Sequence, residues 1–78
     1  MKKITIYSTP TCSYCLMAKD YFQEKGLDFE DFDVSVDMEK REEMLEKTDG
    51  QMGVPVIDID GEIVFGFDKN KIEELLEN

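Results

Sequence analysis

The chain opens with an alternation: in Lys3 to Tyr7, Ile4 and Ile6 fall on one face of an extended segment, and Ser8-Thr9-Pro10-Thr11 then interrupts it. A helical period takes over. From about Ser13 to Lys25 nothing breaks a helix, Leu16, Ala18, Tyr21 and Phe22 supply its apolar positions, and Gly26 is a natural stop. Leu27 to Val34 reads as a second strand, with Phe29 set against Glu30 and Phe32 against Asp33. Asp37 can cap a second helix to about Thr48, with Met38, Met44 and Leu45 facing inward and Glu39, Glu42, Glu43 and Glu46 outward. Asp49 to Gly53 is a loop.

A hairpin and a helix complete the pattern. Val56, Ile57 and Ile59 form one short strand, Ile63 to Phe65 another, and Asp60-Gly61 between them signals a tight turn. Asp68 can cap a last helix whose buried stripe is Ile72, Leu75 and Leu76. The order is β-α-β-α-β-β-α. Its first β-α-β unit requires a right-handed crossover between parallel strands, and the hairpin adds an antiparallel edge. The expected fold class is α/β, with a four-stranded mixed sheet flanked by helices. At 78 residues, 1–78 reads as a single domain with a thin core.

Charge narrows the partners. Nineteen acidic side chains against nine basic ones give a net charge of −10, which argues against nucleic-acid backbones and anionic membranes. Solubility is the first reading of that charge, and steering toward a basic patch on a protein partner is the second. No segment approaches the roughly 18 apolar residues of a membrane span, and the N-terminus lacks the apolar run of a secretory signal, so a soluble cytoplasmic protein is expected. The chain contains no histidine, which excludes histidine general-base catalysis and Cys-His dyads.

The two cysteines, Cys12 and Cys15, follow the first strand directly. A bridge between them closes too small a loop to staple the fold. A structural zinc site wants four ligands, and the chain has neither a second cysteine pair nor a histidine. An inert buried pair fits poorly with the polar, turn-like neighbours Pro10, Thr11, Ser13 and Tyr14. Redox exchange is the chemistry favoured, and zinc stays open only if carboxylates or another subunit complete the site. Cys12 falls at or just before the first turn of a helix, where unpaired N–H groups and the helix dipole stabilise a thiolate. Cys15, one turn on, is more enclosed and keeps its proton longer. Cys12 is therefore the expected nucleophile and Cys15 the resolving thiol. Val54-Pro55 lies at the head of a strand, where both a cis and an ordinary trans peptide bond are open.

The segments Ile6-Tyr7-Ser8-Thr9-Pro10-Thr11-Cys12-Ser13-Tyr14-Cys15, Gly53-Val54-Pro55-Val56-Ile57 and Gly66-Phe67-Asp68 resemble, in this order and spacing, the glutaredoxins of the thioredoxin superfamily. The resemblance runs from Lys3 to about Leu76. It implies a thioredoxin-like fold, cis geometry at Pro55 and a dithiol oxidoreductase whose nucleophile is Cys12. It also implies glutathione as co-substrate, no permanently bound cofactor or metal, and a monomer acting on disulfide or glutathionylated proteins. The glutathione or substrate groove would be made by Thr11, Tyr14, Val54, Pro55, Gly66, Phe67 and Asp68. Asp68 and the last helix's N-terminus would receive the γ-glutamyl end.

The chain departs from that pattern at several positions. Thr9 stands where many glutaredoxins carry lysine, Met52 where a basic residue is common, Ser13 where the CPYC motif has proline, Phe65-Gly66 in place of Gly-Gly, and Lys69 in place of a second aspartate. Glutathione has two carboxylates, so fewer cationic partners predict weaker binding. Gly66-Phe67 is similar to redoxins that serve ribonucleotide reductase and take electrons from thioredoxin reductase, which is the alternative function. A third reading comes from glutaredoxins with CSYC-type sites that bridge a [2Fe–2S] cluster using glutathione thiols; the weakened glutathione site argues against it. Some family members use selenocysteine where this sequence has Cys12. Met17, Met38, Met44 and Met52 read as core or groove filler, and Glu39 to Lys47 as a solvated helix face with i,i+4 pairs.

Overall fold

The strand β1, Ile4–Ser8, pairs in parallel with β2, Glu30–Asp33, on one side and antiparallel with β3, Val56–Ile59, on the other. The computed structural model describes residues 3–51 and 53–77. β4, Glu62–Phe65, adds antiparallel to β3, giving a mixed sheet in the order β2-β1-β3-β4. Helix α1, Ser13–Glu24, makes the crossover that a parallel β1–β2 pair needs. Helices α2, Met38–Lys47, and α3, Lys69–Glu77, complete the chain in the expected order, and no described helix is long and apolar enough to cross a membrane.

Local chemistry sets the ends of these elements. Asp37 caps α2, its carboxylate accepting the Lys40 N–H at 3.1 Å. Past α1, Gly26 takes φ +68°, and the Leu27 and Gly26 N–H groups donate to the Phe22 and Gln23 carbonyls, the paired bonds of a Schellman stop. The β3–β4 turn has positive φ at both Asp60 (51°) and Gly61 (93°), the conformation a two-residue hairpin requires.

β1 is buried on both faces, and the sheet therefore has two unlike sides. Ile4 and Ile6 join Ile57, Ile59 and Val64 beneath Ala18 and Phe22 of α1 and Ile72 of α3, with Leu27, Phe29, Leu75 and Leu76 packed at the margin. Burying each such aliphatic or aromatic side chain contributes roughly 1.5–3 kcal/mol. On the opposite side Tyr7, Val34, Val56 and Met44 form a smaller cluster under α2 alone.

Beyond that cluster the second face is finished with charge. Lys47 of α2 donates to Asp58 Oδ2 at 2.6 Å and to the Tyr7 hydroxyl at 2.8 Å, and Tyr7 donates to Glu43 Oε2 at 2.6 Å. The other Asp58 oxygen accepts the Gly61 N–H at 2.7 Å. Burial works against the Lys47 ammonium, but its bonds to Asp58 and Tyr7 outweigh that and hold its pKa above the ordinary lysine value. Lys40 lies over the Phe32 ring at 4.3 Å from its centroid.

Several expectations change. Glu43 is half-buried and bonded to Tyr7, and Lys40, Glu43 and Lys47 lie against the sheet, whereas Glu39, Glu42 and Glu46 do face solvent. A helix of this length cannot cover a whole sheet face with apolar groups, so its long polar side chains reach across instead. Leu16, Met17 and Met38 are exposed, because the inward arc of α1 is taken by Cys15, Ala18 and Phe22 and that of α2 by Met44. β2 is shorter than Leu27 to Val34; Leu27 and Phe29 precede it and pack on the core as connecting chain. Met52 lies outside the described residues.

Lys47→Met should lower stability by about 1–3 kcal/mol in urea unfolding, because the largely buried Asp58 loses its cation, and adding Asp58→Asn should recover part of the loss. Acid should act through Glu43, whose carboxyl is held below its ordinary value of 4.5, chiefly by the Tyr7 hydroxyl. The stability it contributes is present above that ordinary value and is lost as pH falls through the lower folded-state value. Glu43→Gln should flatten this acid limb of the unfolding midpoint.

Candidate active site

Four elements end together at one edge of the sheet. β1 and β2 run parallel, so the loop leaving β1 into α1 lies at the same edge as the end of β2, the start of β3 and the end of β4. Thr9 to Thr11 carry the chain from β1 to Cys12, whose N–H donates to the Thr9 carbonyl at 3.3 Å.

Cys12 is the N-cap of α1. Its backbone is extended (φ −91°, ψ 111°), and its sulfur accepts the Cys15 N–H at 3.1 Å, taking the place a serine or aspartate oxygen commonly fills. Both cysteines are free thiols. Cys12 is partly exposed, whereas Cys15, on the inward arc with Ala18 and Phe22, is completely buried.

Burial pushes the Cys15 thiol up to about 12, and the hydrogen bond and charge of the Cys12 sulfur act in the same direction. The Thr9 backbone and the Lys19 ammonium pull the other way without overcoming them. A reagent reaching this edge meets an accessible sulfur at a helix terminus with a protonated, enclosed sulfur behind it.

Beside the thiols runs a groove of about 370 Å³ lined by Tyr14, Val54, Pro55, Phe65, Gly66, Phe67 and Asp68. The Val54-Pro55 peptide bond is cis. The Gly66 N–H donates to the Pro55 carbonyl at 2.8 Å, fastening the end of β4 to the start of β3. Asp68 accepts the Lys71 N–H at 3.2 Å, which makes it the expected cap of α3 while it also lines the groove. Among the described residues that line the groove Asp68 alone is charged, and Tyr14 and Phe65 present exposed rings to it.

The structure thus brings together six of the residues expected for this groove: Tyr14, Val54, Pro55, Gly66, Phe67 and Asp68. Thr11, exposed and adjacent to Cys12, is not part of the lining. Phe65 is an addition. Val64 points into the core, so strict alternation in β4 turns Phe65 to the other face, and that signal is present in the sequence. No described group of three or more His, Cys, Asp or Glu side chains could hold a metal ion.

The difference between the thiols is directly measurable. At about pH 8 a limiting amount of iodoacetamide should alkylate Cys12 and spare Cys15, whose labelling should keep rising with pH well beyond the free-cysteine range. Equal labelling of the two sites by mass spectrometry would contradict the geometry.

Comparison with known proteins gives these features a context. The glutaredoxin family model matches residues 4–64. A glutaredoxin-like 8.6 kDa protein from the rubredoxin operon of Clostridium pasteurianum is 51% identical over 74 residues, covering 95% of this chain and 97% of the relative. The crystal structure of a thioredoxin-like protein superposes with a TM-score of 0.89 at 36% identity, over 99% of this chain and 97% of the other. NrdH-redoxin of Escherichia coli, a glutaredoxin-like protein with a thioredoxin-like activity profile, superposes with a TM-score of 0.80 at 29% identity, over 94% and 93%. The fold is thioredoxin-like.

Proposed function

This chain belongs to the glutaredoxin family and is a thiol–disulfide oxidoreductase, and on that premise we propose that it works by a dithiol mechanism in which Cys12 attacks and Cys15 resolves. The observation that carries this reading is the contrast between the thiols, one partly exposed at a helix cap and one fully buried and held protonated. The Cys12 thiolate attacks one sulfur of a substrate disulfide. A mixed disulfide forms, and the departing sulfur leaves as a thiolate and takes up a proton. Cys15 then loses its proton and attacks the Cys12 sulfur, releasing the second substrate thiol. The substrate gains two electrons and the protein is left with a Cys12–Cys15 disulfide.

The structure supports an order for these steps. Two influences that hold the Cys15 proton, the hydrogen bond and charge of the Cys12 sulfur, weaken once that sulfur is bonded to substrate. Cys15 then becomes easier to ionise at the stage when its attack is useful.

The substrates proposed are protein disulfides and glutathione mixed disulfides, with glutathione as the reductant that restores the dithiol. Tyr14, the Val54 backbone, Gly66, Phe67 and Asp68 would hold it in the groove. Asp68 suits its ammonium group, and the first turn of α3 suits a carboxylate. A second reading is favoured by a specific observation: among the described residues neither lysine nor arginine lines the groove, while Tyr14 and Phe65 expose aromatic surface to it. That surface suits a polypeptide better than a tripeptide with two carboxylates. In this reading thioredoxin reductase supplies the electrons and ribonucleotide reductase receives them, in keeping with the likeness to NrdH-redoxin.

Cys12→Ser should abolish disulfide exchange altogether. Cys15→Ser should accumulate covalent mixed disulfides with protein partners and keep part of its activity on glutathionylated substrates. Reducing the oxidised protein in parallel with glutathione plus glutathione reductase and with NADPH plus thioredoxin reductase separates the two readings. Turnover with glutathione supports the first, and turnover with thioredoxin reductase alone replaces it with the second.

A further inference from the structure

Resolution by Cys15 poses a problem that the two thiols do not solve between them. The attacking species must be a thiolate, yet this thiol is completely buried and pushed up to about 12, and the chain has no histidine to take its proton. Loss of the Cys12 charge in the mixed disulfide relieves part of this burden. Desolvation, the largest influence, remains.

We propose that Lys19, fixed by Asp31 and Ser8, is the positioning residue that lets Cys15 ionise in the mixed disulfide. The proposal rests on the reading that Cys15 resolves. Lys19 follows Cys15 by one turn on α1, a spacing that brings side chains within about 5–6 Å at Cβ. Its ammonium donates to Asp31 Oδ2 at 2.8 Å, and the other Asp31 oxygen accepts the Ser8 hydroxyl at 2.7 Å. Ser8 is buried at the end of β1, and Asp31 stands on the adjoining strand. Three elements therefore hold one cation beside the resolving thiol, where an untethered lysine would carry its charge into solvent.

The groups acting on Cys15 are Cys12 and Lys19 from α1 and the Thr9 backbone from the preceding loop, with Asp31 of β2 acting through Lys19. Lys19 is the one side-chain cation among these described groups. Asp31 has two opposed effects: it orients Lys19, and its own negative charge offsets that of Lys19. The proton leaves Cys15 for water, the thiolate attacks the Cys12 sulfur, and the bond between Cys12 and the substrate sulfur breaks as the new disulfide forms. Lys19 keeps its proton throughout.

This arrangement predicts opposite effects from the two ends of the ion pair. The Cys12 mixed disulfide with a chromogenic aromatic thiol can be made in acid, where Cys15 stays protonated, and the thiol's release followed after a jump in pH. Lys19→Gln should move the pH profile of release upward by about one pH unit, slowing release about tenfold at neutral pH. Asp31→Asn, whose amide oxygen can still accept from Lys19 and hold it in place while the offsetting negative charge is gone, should move it downward and speed release, the double variant should return close to the parent, and Lys19→Arg should preserve the parent profile. Circular dichroism establishes that each variant is folded. Shifts of the same sign in the two single variants, or unmoved profiles in both, overturn the role of Lys19. A stable mixed disulfide that releases no thiol in the parent protein, even at alkaline pH, overturns instead the assignment of Cys15 as resolving thiol.

Discussion

Cys15 shares the inward arc of α1 with Ala18 and Phe22, and its complete burial is the constraint from which the character of the site follows. Three residues earlier, where the helix has not yet begun, the chain is at the edge of the sheet and Cys12 meets solvent. A single turn of helix thus separates an accessible sulfur from one that desolvation keeps protonated. Nothing in the amino acids themselves distinguishes the two thiols. Their difference comes from where α1 starts and which arc it buries, and both are set by the hydrophobic contact of α1 with Ile4 and Ile6.

That contact depends in turn on β1 being covered from both sides. The α1 and α3 face is built on one large apolar cluster with the Ser8, Asp31 and Lys19 bonds at its end, whereas α2 covers the other with a small apolar cluster and a set of charges centred on Tyr7 and Lys47. Tyr7 lies between Glu43 and Lys47, and Ser8, the next residue, lies on the other side of the strand against Asp31. The last two residues of β1 are therefore held by side chains from both flanks just before the loop that leads to Cys12. Polar anchoring of this kind adds less net stability per group than apolar burial, but it fixes geometry, since a hydrogen bond is directional and a methyl contact is not.

Much of this was legible in the sequence because each signal was local. The Asp60-Gly61 turn, the Asp37 and Asp68 caps and the stop at Gly26 depend on chain neighbours, and the structure contains all of them. What escaped was long-range. Glu43 and Lys47 have the spacing of exposed helix residues, and only the position of Asp58 and Tyr7 across the fold turns them inward. Leu16 and Met17 look like core positions until the buried arc is known, and for Phe65 the alternation in β4 gives the face while the groove it joins is known only once β4 is seen to end beside Pro55. The Lys19–Asp31 pair spans a crossover and carries no local signature at all.

The groove poses the remaining electrostatic question. Glutathione brings two carboxylates and one ammonium, and Asp68 can pair with the ammonium while one carboxylate accepts from the first N–H groups of α3. Asp68 weakens that second interaction, because its own carboxylate already occupies the Lys71 N–H. In that proposed pose the other carboxylate would face Tyr14, Val54 and Phe65 on a chain of net charge −10, where the described lining offers it no cation and it would give up some hydration. A polypeptide carrying a disulfide bears no such obligatory charges along its backbone, and it can lay apolar side chains on Tyr14 and Phe65. On the two proposed readings the same lining would set a higher cost for the small thiol than for the large one, and the choice between them would turn on desolvation more than on the reactivity of Cys12.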